Sequence, residues 1–376
     1  MKVLISCGGT GGHINPGLAI ADIIKSKYPD AEFLFAGTPK GMEARLVPQA
    51  GYKLETIKVA GFQRKISLEN VGRNIKAAAY LATSGKRAKE IINNFKPDIA
   101  IGTGGYAAGP VIRKAARMGI PTAIHEQNAY PGVTNKLLSK EVDYVMLTVK
   151  EALDFMDKSK FEYSVTGLPV RSNINHISKA EARKKLGFNG DFTILSFGGS
   201  LGAGCINETM TEAIKWHYSK KLKINHIHGY GGMGKDTFPQ AMKSANIPLK
   251  SDRLRITEYI NDMDVCLAAA DLVICRSGAS TLAELEAAGK ASILIPSPIV
   301  AGNHQYHNAM VLGKAGAAEV IEQKDASPEK IIAEIEKLYK NPDKVEIMSQ
   351  SAASLHLNDT NERIIAVIDK LIAKAK

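Results

Sequence analysis

The sequence is poor in the features that would place it outside a reducing, aqueous compartment. It has four cysteines, Cys7, Cys205, Cys266 and Cys275, each alone in an apolar stretch with no C-x-x-C spacing. They read as buried thiols, so neither a disulfide framework nor a zinc site is expected. No apolar run reaches the roughly 18 residues that a spanning helix needs, and Val3 to Cys7 is too short for the core of a signal peptide. The expectation is a chain that stays soluble in the cytoplasm. Its 33 glycines and 15 prolines are scattered, with no collagen-like or low-complexity period. The ATP-binding pattern G-x-x-x-x-G-K followed by Ser or Thr is missing. Lys235 at the end of Gly229-Tyr-Gly-Gly-Met-Gly-Lys235 is followed by Asp236, and that stretch reads as a flexible loop.

What is present is apolar mass for two domains: 376 residues, 45% hydrophobic and 23% charged. The net charge of +11 lies mostly in the first half, where residues 1–165 carry 23 Lys and Arg against 15 Asp and Glu. Between residues 61 and 96, Arg64, Lys65, Arg73, Lys76, Lys86, Arg87, Lys89 and Lys96 face only Glu69 and Glu90. Such a segment attracts polyanions. No zinc-finger, RNP-type or heptad-linked basic pattern accompanies it, so an anionic membrane surface or a phosphorylated substrate fits at least as well as nucleic acid.

Short apolar runs alternate with helical periods along the chain. Val3–Cys7, Glu32–Ala36, Ile99–Ile101, Thr122–His125 and Tyr144–Leu147 read as buried parallel strands, and Phe192–Phe197, Lys223–Ile227, Leu272–Cys275 and Ser292–Ile295 form a second series. This predicts an α/β protein of two Rossmann-like domains facing across a cleft, each with a parallel sheet covered on both faces. Ser178 and Glu181 make a capping-box pattern just after Gly167-Leu-Pro169. The domains are therefore placed at 1–165 and 166–357, with an amphipathic helix at about 358–376 packing back on the first.

Glycine turns mark the candidate site. Three follow strands: Gly8-Gly-Thr10-Gly11-Gly12-His13, Gly102-Thr-Gly104-Gly105-Tyr106 leading to Gly109-Pro110, and Gly198-Gly-Ser200-Leu-Gly-Ala203. Glycine lets the backbone approach a ligand, and the helix that follows offers free amides and a partial positive charge, which suits phosphate. The dinucleotide fingerprint fails, because Ile14 stands where glycine or alanine is needed and strand two ends Phe35-Ala-Gly37 without a ribose-binding acid. A further turn, Cys275-Arg-Ser-Gly-Ala279-Ser280-Thr281-Leu-Ala-Glu284, could present amides to a diphosphate and Glu284 to ribose hydroxyls. Its plainer reading has Ser277 as an N-cap and Glu284 as a solvated helix acid. Gly302-Asn-His304-Gln305-Tyr-His-Asn308 carries side chains suited to sugar hydroxyls. Asp262-Met-Asp264 resembles a metal-binding D-x-D but stands at a helix start, where Asp262 reads as an N-cap.

Together these residues resemble one family, the UDP-N-acetylglucosamine-dependent glycosyltransferases of bacterial lipid II synthesis. The likeness runs from Lys2 to about Gln323 and rests on Gly8 to His13 with Asn15-Pro16-Gly17, Gly104-Gly-Tyr106 with Gly109-Pro110, His125-Glu-Gln-Asn128, Pro169-Val-Arg171, Gly198-Gly-Ser200, and Cys275-Arg-Ser-Gly278 with Glu284 and Gln305. It departs at Leu168, where Asn is usual, at Leu201, where Gln is common, and at His304, which is Gln in some relatives. The resemblance implies a GT-B fold, no cofactor or catalytic metal, a role in cell-wall synthesis, and peripheral attachment to the cytoplasmic face of the membrane. Its implied partners are UDP-GlcNAc, lipid-linked MurNAc-pentapeptide (lipid I) and an anionic membrane surface.

Carried over by residue, the resemblance places the donor mainly on the second domain. Arg171 and Ser200 would meet the phosphates, the Ile260 backbone uracil, and Ala279, Ser280 and Thr281 the sugar and diphosphate. Glu284 would take ribose, with Gln305, His304 and Asn128 toward the GlcNAc ring and Thr10, Gly11 and Gly12 completing the donor site. Gly104, Gly105 and Tyr106 would hold the acceptor. The inverting reaction needs a base for a sugar hydroxyl, for which His13 is the candidate, with Glu126 as orienter or alternate base. Ile66, Leu68, Val71, Ile75, Tyr80 and Leu81 among the basic residues suit a surface dipping into a membrane interface. A UDP-GlcNAc 2-epimerase, another GT-B glycolipid transferase and a non-catalytic nucleotide-sugar sensor remain alternatives.

Overall fold

The computed structural model describes residues 1–59, 68–171, 174, 176–199 and 201–375, with the backbone alone at 68–79, 81 and 82. Strands β1 (Lys2–Cys7), β2 (Glu32–Gly37), β3 (Lys53–Thr56), β4 (Ile99–Gly104), β5 (Thr122–Glu126), β6 (Tyr144–Leu147) and β7 (Glu162–Val165) form one sheet in the order β3-β2-β1-β4-β5-β6-β7. Strands β8 (Phe192–Phe197), β9 (Ile224–Gly229), β10 (Leu254–Thr257), β11 (Leu272–Cys275), β12 (Ala291–Leu294) and β13 (Ala318–Val320) form another, ordered β10-β9-β8-β11-β12-β13. Every pairing between these strands is parallel. Each sheet thus has the Rossmann order, growing outward from its first strand in one direction and then in the other. Its switch point lies between β1 and β4 in the first sheet and between β8 and β11 in the second.

The central strands are continuous apolar runs because helices cover both faces; Val3, Leu4 and Ile5 are all wholly buried. Four strands escape the sequence pattern, and they are the four outer ones, β3, β7, β10 and β13. An outer strand of three or four residues is half solvated and needs no apolar run: Lys53-Leu-Glu-Thr56 has no buried residue and Leu254-Arg-Ile-Thr257 buries only alternate ones.

The chain divides into Met1–Pro169 with Leu357–Lys376, and Val170–His356. The first unit runs four residues beyond the boundary expected from sequence. The Thr166 and Gly167 amides both donate to the Leu147 carbonyl, at 2.8 and 3.2 Å, and so continue the β6–β7 ladder. The C-terminal helix Thr360–Ala375 belongs to this unit, its Ile364, Val367, Ile368 and Leu371 packing in one cluster with Val3, Ile5, Ile20 and Ile24. In the second unit Ser178 and Glu181 close a reciprocal capping box on the helix Lys179–Leu186, and Gly187 ends it in the left-handed conformation.

Two expectations need amendment. The segment Gly229–Lys235 is not a loose loop: Tyr230 is buried, its carbonyl accepts from Asn207 Nδ2 at 2.9 Å, and the Met233 amide donates to the Leu201 carbonyl at 3.0 Å. Of the four thiols, Cys7, Cys266 and Cys275 are buried but Cys205 is partly exposed. Burial pushes the Cys7 and Cys266 thiols up to about 12. The helix Leu68–Phe95 carries part of the basic segment, but Arg64, Lys65 and Ile66, and the side chains of Leu68, Val71, Arg73, Ile75, Lys76 and Leu81, lie outside the described residues. Among the described residues no helix is long and apolar enough to cross a membrane.

Candidate active site

In the first unit two turns meet at the switch point. β1 leads through Gly8 and Gly9 to the helix Gly11–Lys27, whose N-cap, Thr10, gives it no side-chain cap. The first-turn amides of Gly11 and Gly12 therefore face outward at the positive end of a helix. Behind them lies Glu43, wholly buried, its carboxylate accepting from the Gly9 amide at 3.1 Å, the Thr38 amide at 2.8 Å and the Thr38 hydroxyl at 2.6 Å. Burial opposes its ionisation, but the Thr38 and Gly9 donors outweigh that and hold its carboxyl below the usual range. An internal carboxylate so takes the Gly9 amide, while those of Gly11 and Gly12 stand at the helix start.

The turn after β4 closes over the first. Gly105 has φ +85°, and a Cβ there would sit 2.1 Å from the Gly8 carbonyl oxygen. Gly104 has φ +107°, and a Cβ would lie 2.7 Å from His13 Nδ1. Only glycine lets the two turns touch and the imidazole lie against the second. Thr103 Oγ1 donates to the His13 carbonyl at 2.7 Å, and Tyr106 stands 60% exposed beyond the turn.

The side chain that meets His13 is Gln127, whose Oε1 is 3.1 Å from His13 Nδ1. Glu126, the expected orienter, turns elsewhere: Oε1 accepts from the Asn128 amide and side chain at 2.9 and 3.1 Å, and Oε2 from the Gly132 amide at 3.0 Å and Asn135 Nδ2 at 2.8 Å. Strand alternation is the reason. Residues 125 and 127 leave β5 on one face and 126 on the other. His125 Nε2 lies 3.0 Å from the Gly167 carbonyl, and burial pushes this ring down to about 4, so it is neutral. Sequence reasoning quoted Gln127 within its motif without giving it a task, and it passed over Glu43. The period-two rule applied to residues 125–127 would have singled out Gln127.

In the second unit the switch point carries the turns after β8 and β11. The helix Gly204–Ser219 starts at Ala203 and the helix Ala279–Ala287 at Gly278, both without a side-chain cap. Ser277 is not the N-cap. Its hydroxyl donates to the Gln305 carbonyl at 2.8 Å, and Asn308 Nδ2 donates to the Ser277 carbonyl at 3.3 Å, which ties the two segments together. Ala279, Ser280 and Thr281 are the first turn of an open helix. Gln305 Oε1 accepts from the Ser297 amide at 2.9 Å, and His304 Nδ1 is 2.9 Å from the Ala301 carbonyl. Ser200 lies outside the described residues.

Arg171 and Glu284, expected to take different parts of a ligand, form a pair, Nε to Oε1 at 2.7 Å. The Glu284 bond raises the guanidinium pKa, and the pair presents an exposed cation over a largely buried carboxylate. Among the described residues a second guanidinium, Arg276, donates to neutral acceptors: the Ile295 and Pro296 carbonyls at 2.9 and 3.2 Å and Gln323 Oε1 at 2.6 Å. Its charge is left to act on its surroundings. Ile260 is buried, while the neighbouring Asp262 stands at the N-cap of the helix Met263–Ala269 without capping it. Its carboxylate is bidentate to Arg255 at 2.7 and 2.8 Å, which holds the first acid of the D-x-D pattern in an internal ion pair.

Residues 3–147 match the glycosyltransferase family 28 N-terminal domain and residues 193–364 the family's C-terminal domain. The UDP-N-acetylglucosamine--N-acetylmuramyl-(pentapeptide) pyrophosphoryl-undecaprenol N-acetylglucosamine transferase of Acetivibrio thermocellus is 47% identical over 374 residues, 99% of this chain and 98% of its own. The transferase of that name from Thermoanaerobacter sp. is 45% identical, with 99% and 100% covered. Acinetobacter baumannii MurG superposes with a TM-score of 0.78 at 28% identity, covering 98% of this chain and 99% of its own. A UDP-GlcNAc 2-epimerase from Neisseria meningitidis bound to UDP-GlcNAc shares the fold alone, at TM-score 0.64 and 12% identity with 98% and 100% covered. The class is thus the GT-B fold, two Rossmann-like domains on one chain. Within it the chain belongs to glycosyltransferase family 28, among the N-acetylglucosamine transferases just named.

Proposed function

We propose that this hexosyltransferase moves GlcNAc from UDP-GlcNAc to the 4-hydroxyl of MurNAc in undecaprenyl-pyrophosphoryl-MurNAc-pentapeptide, the step that turns lipid I into lipid II in peptidoglycan synthesis. The observation that carries the donor assignment is the uncapped helix start at Gly278–Thr281, set at the second sheet's switch point. Its amides suit the diphosphate. Arg171 then neutralises the departing charge, Glu284 accepts from ribose, the Ile260 backbone receives uracil, and Gln305, His304 and Asn128 address the sugar. Ser200 and residues 10–12 complete this donor set, and Gly104, Gly105 and Tyr106 serve the acceptor.

In the step itself, His13 Nε2 removes the proton of the MurNAc 4-hydroxyl as its oxygen bonds to the anomeric carbon. The bond from that carbon to the diphosphate breaks, and UDP leaves with inverted configuration at the sugar. A general base contributes roughly 100- to 10,000-fold. His13→Ala is therefore expected to cut acceptor-dependent UDP release by at least about 100-fold with UDP-GlcNAc binding intact; turnover near wild type would remove His13 from the role. UDP release that does not depend on a lipid I analogue would favour an epimerase or hydrolase instead.

The basic segment within 61–96 supports a peripheral seat on the anionic cytoplasmic face of the membrane, near the lipid-linked acceptor. The enzyme should sediment with anionic vesicles at low salt and release at high salt. Failure to bind anionic vesicles at low salt would refute this seat.

A further inference from the structure

The contacts around His13 extend past the ring into a chain of groups whose hydrogen positions leave no choice. The Gly167 carbonyl only accepts, so His125 Nε2, 3.0 Å away, carries its proton. The neutral His125 ring then has a bare Nδ1. Gln127 Nε2 lies 3.1 Å from that nitrogen and 2.9 Å from the His125 carbonyl oxygen, two acceptors on one side of the amide. A reversed amide would set Oε1 against both. The Gln127 oxygen therefore faces His13, and at 3.1 Å it accepts from Nδ1.

We propose that Gln127 is a positioning residue that holds His13 as its Nδ1–H tautomer, so that the lone pair required for proton removal stands at Nε2. The instruction originates in a backbone carbonyl at the end of the first unit and passes through two buried side chains, His125 and Gln127, which are 0 and 2% exposed. Gly104 lies against the same ring, where a Cβ would fall 2.7 Å from Nδ1 and only hydrogen fits. A buried amide so placed has no solvent to exchange its role with. This inference rests on the reading of His13 as the base, but its geometric half can be tested without catalysis.

Long-range proton–nitrogen NMR on enzyme labelled with 15N-histidine, with the nine rings sorted by comparison with His13→Ala, reads the tautomer directly. At alkaline pH wild-type His13 should show a protonated Nδ1 and a bare Nε2; the opposite pattern overturns the proposal. In Gln127→Met the signature should become mixed or reversed, and kcat should fall by about tenfold, the order of one hydrogen bond, with the KM for UDP-GlcNAc within about twofold. An Nδ1–H signature that survives unchanged in Gln127→Met overturns the positioning role. If the tautomer changes as expected in Gln127→Met while kcat does not, the relay stands and the assignment of His13 as base is the part that fails.

Discussion

Lowering the pH from 7.5 to 5.5 should destabilise the second unit far more than its surface charge would suggest. The cause is three buried histidines in line: His217 Nε2 is 3.1 Å from His226 Nδ1, and Ser196 Oγ joins His226 Nε2 to His228 Nδ1 at 2.8 Å each. His228 Nε2 has no partner among the described residues, and its ring stacks on Phe238. Burial depresses all three, His217 to about 4, His228 to about 3 and His226 well below its ordinary value. The folded unit therefore takes up no proton on these rings at pH 5.5, whereas the unfolded chain titrates near 6.5. Because the folded values are depressed, the stability is fully present above about pH 6.5 and is lost as pH falls toward the folded values. From pH 7.5 to 5.5 each ring costs about 1.4 kcal/mol by linkage, and three cost about 4 kcal/mol. The only tryptophan, Trp216, lies on the helix beside His217, so its fluorescence reports this unit alone. With a urea dependence of about 2–3 kcal/mol per molar, the midpoint should drop by about 1–2 M. His228→Phe should remove about a third of that dependence. A midpoint that does not move between the two pH values would refute the reasoning.

Other expectations follow from single contacts. Gly105→Ala forces a Cβ onto the Gly8 carbonyl at a left-handed φ; a cost of at least about 1–3 kcal/mol is expected, with turnover lost while calorimetric UDP binding by the second unit persists. Arg171→Ala should weaken UDP binding at least about tenfold yet move the melting temperature little, because its half-exposed pair with Glu284 contributes under about 1 kcal/mol; parallel losses of affinity and stability would argue for a structural role. Ile368→Ala, in a helix that rejoins the first unit from the far end of the chain, should cost about 2–5 kcal/mol, seen by calorimetry as a lower transition for the first unit only.

How far the residues alone could be read depended on where each element's burial is decided. Central strands are enclosed on both sides, so their composition announces them; the four outer strands, set by one neighbour and by solvent, carry no such signature. The turns were legible because glycine at Gly104 and Gly105 is a steric necessity written into the chain itself. The carboxylates and amides near them were harder. Glu126 stands next to Gln127 in sequence and looks the better chemical candidate, yet the pleat sends the two in opposite directions.

Local chemistry, then, belongs to the sequence: the alternation that makes two Rossmann-like domains, the capping box of Ser178 and Glu181, and the glycine turns that suit a diphosphate. Pairing over long separations belongs to the tertiary structure. Only folding brings Gln127 to His13, Glu43 beneath the Gly9 amide, Arg171 onto Glu284 and the last helix onto the first strand. Such contacts depend on strand order and crossover length, which no short window of residues encodes, and hydrogen-bond direction follows only once both partners are in place.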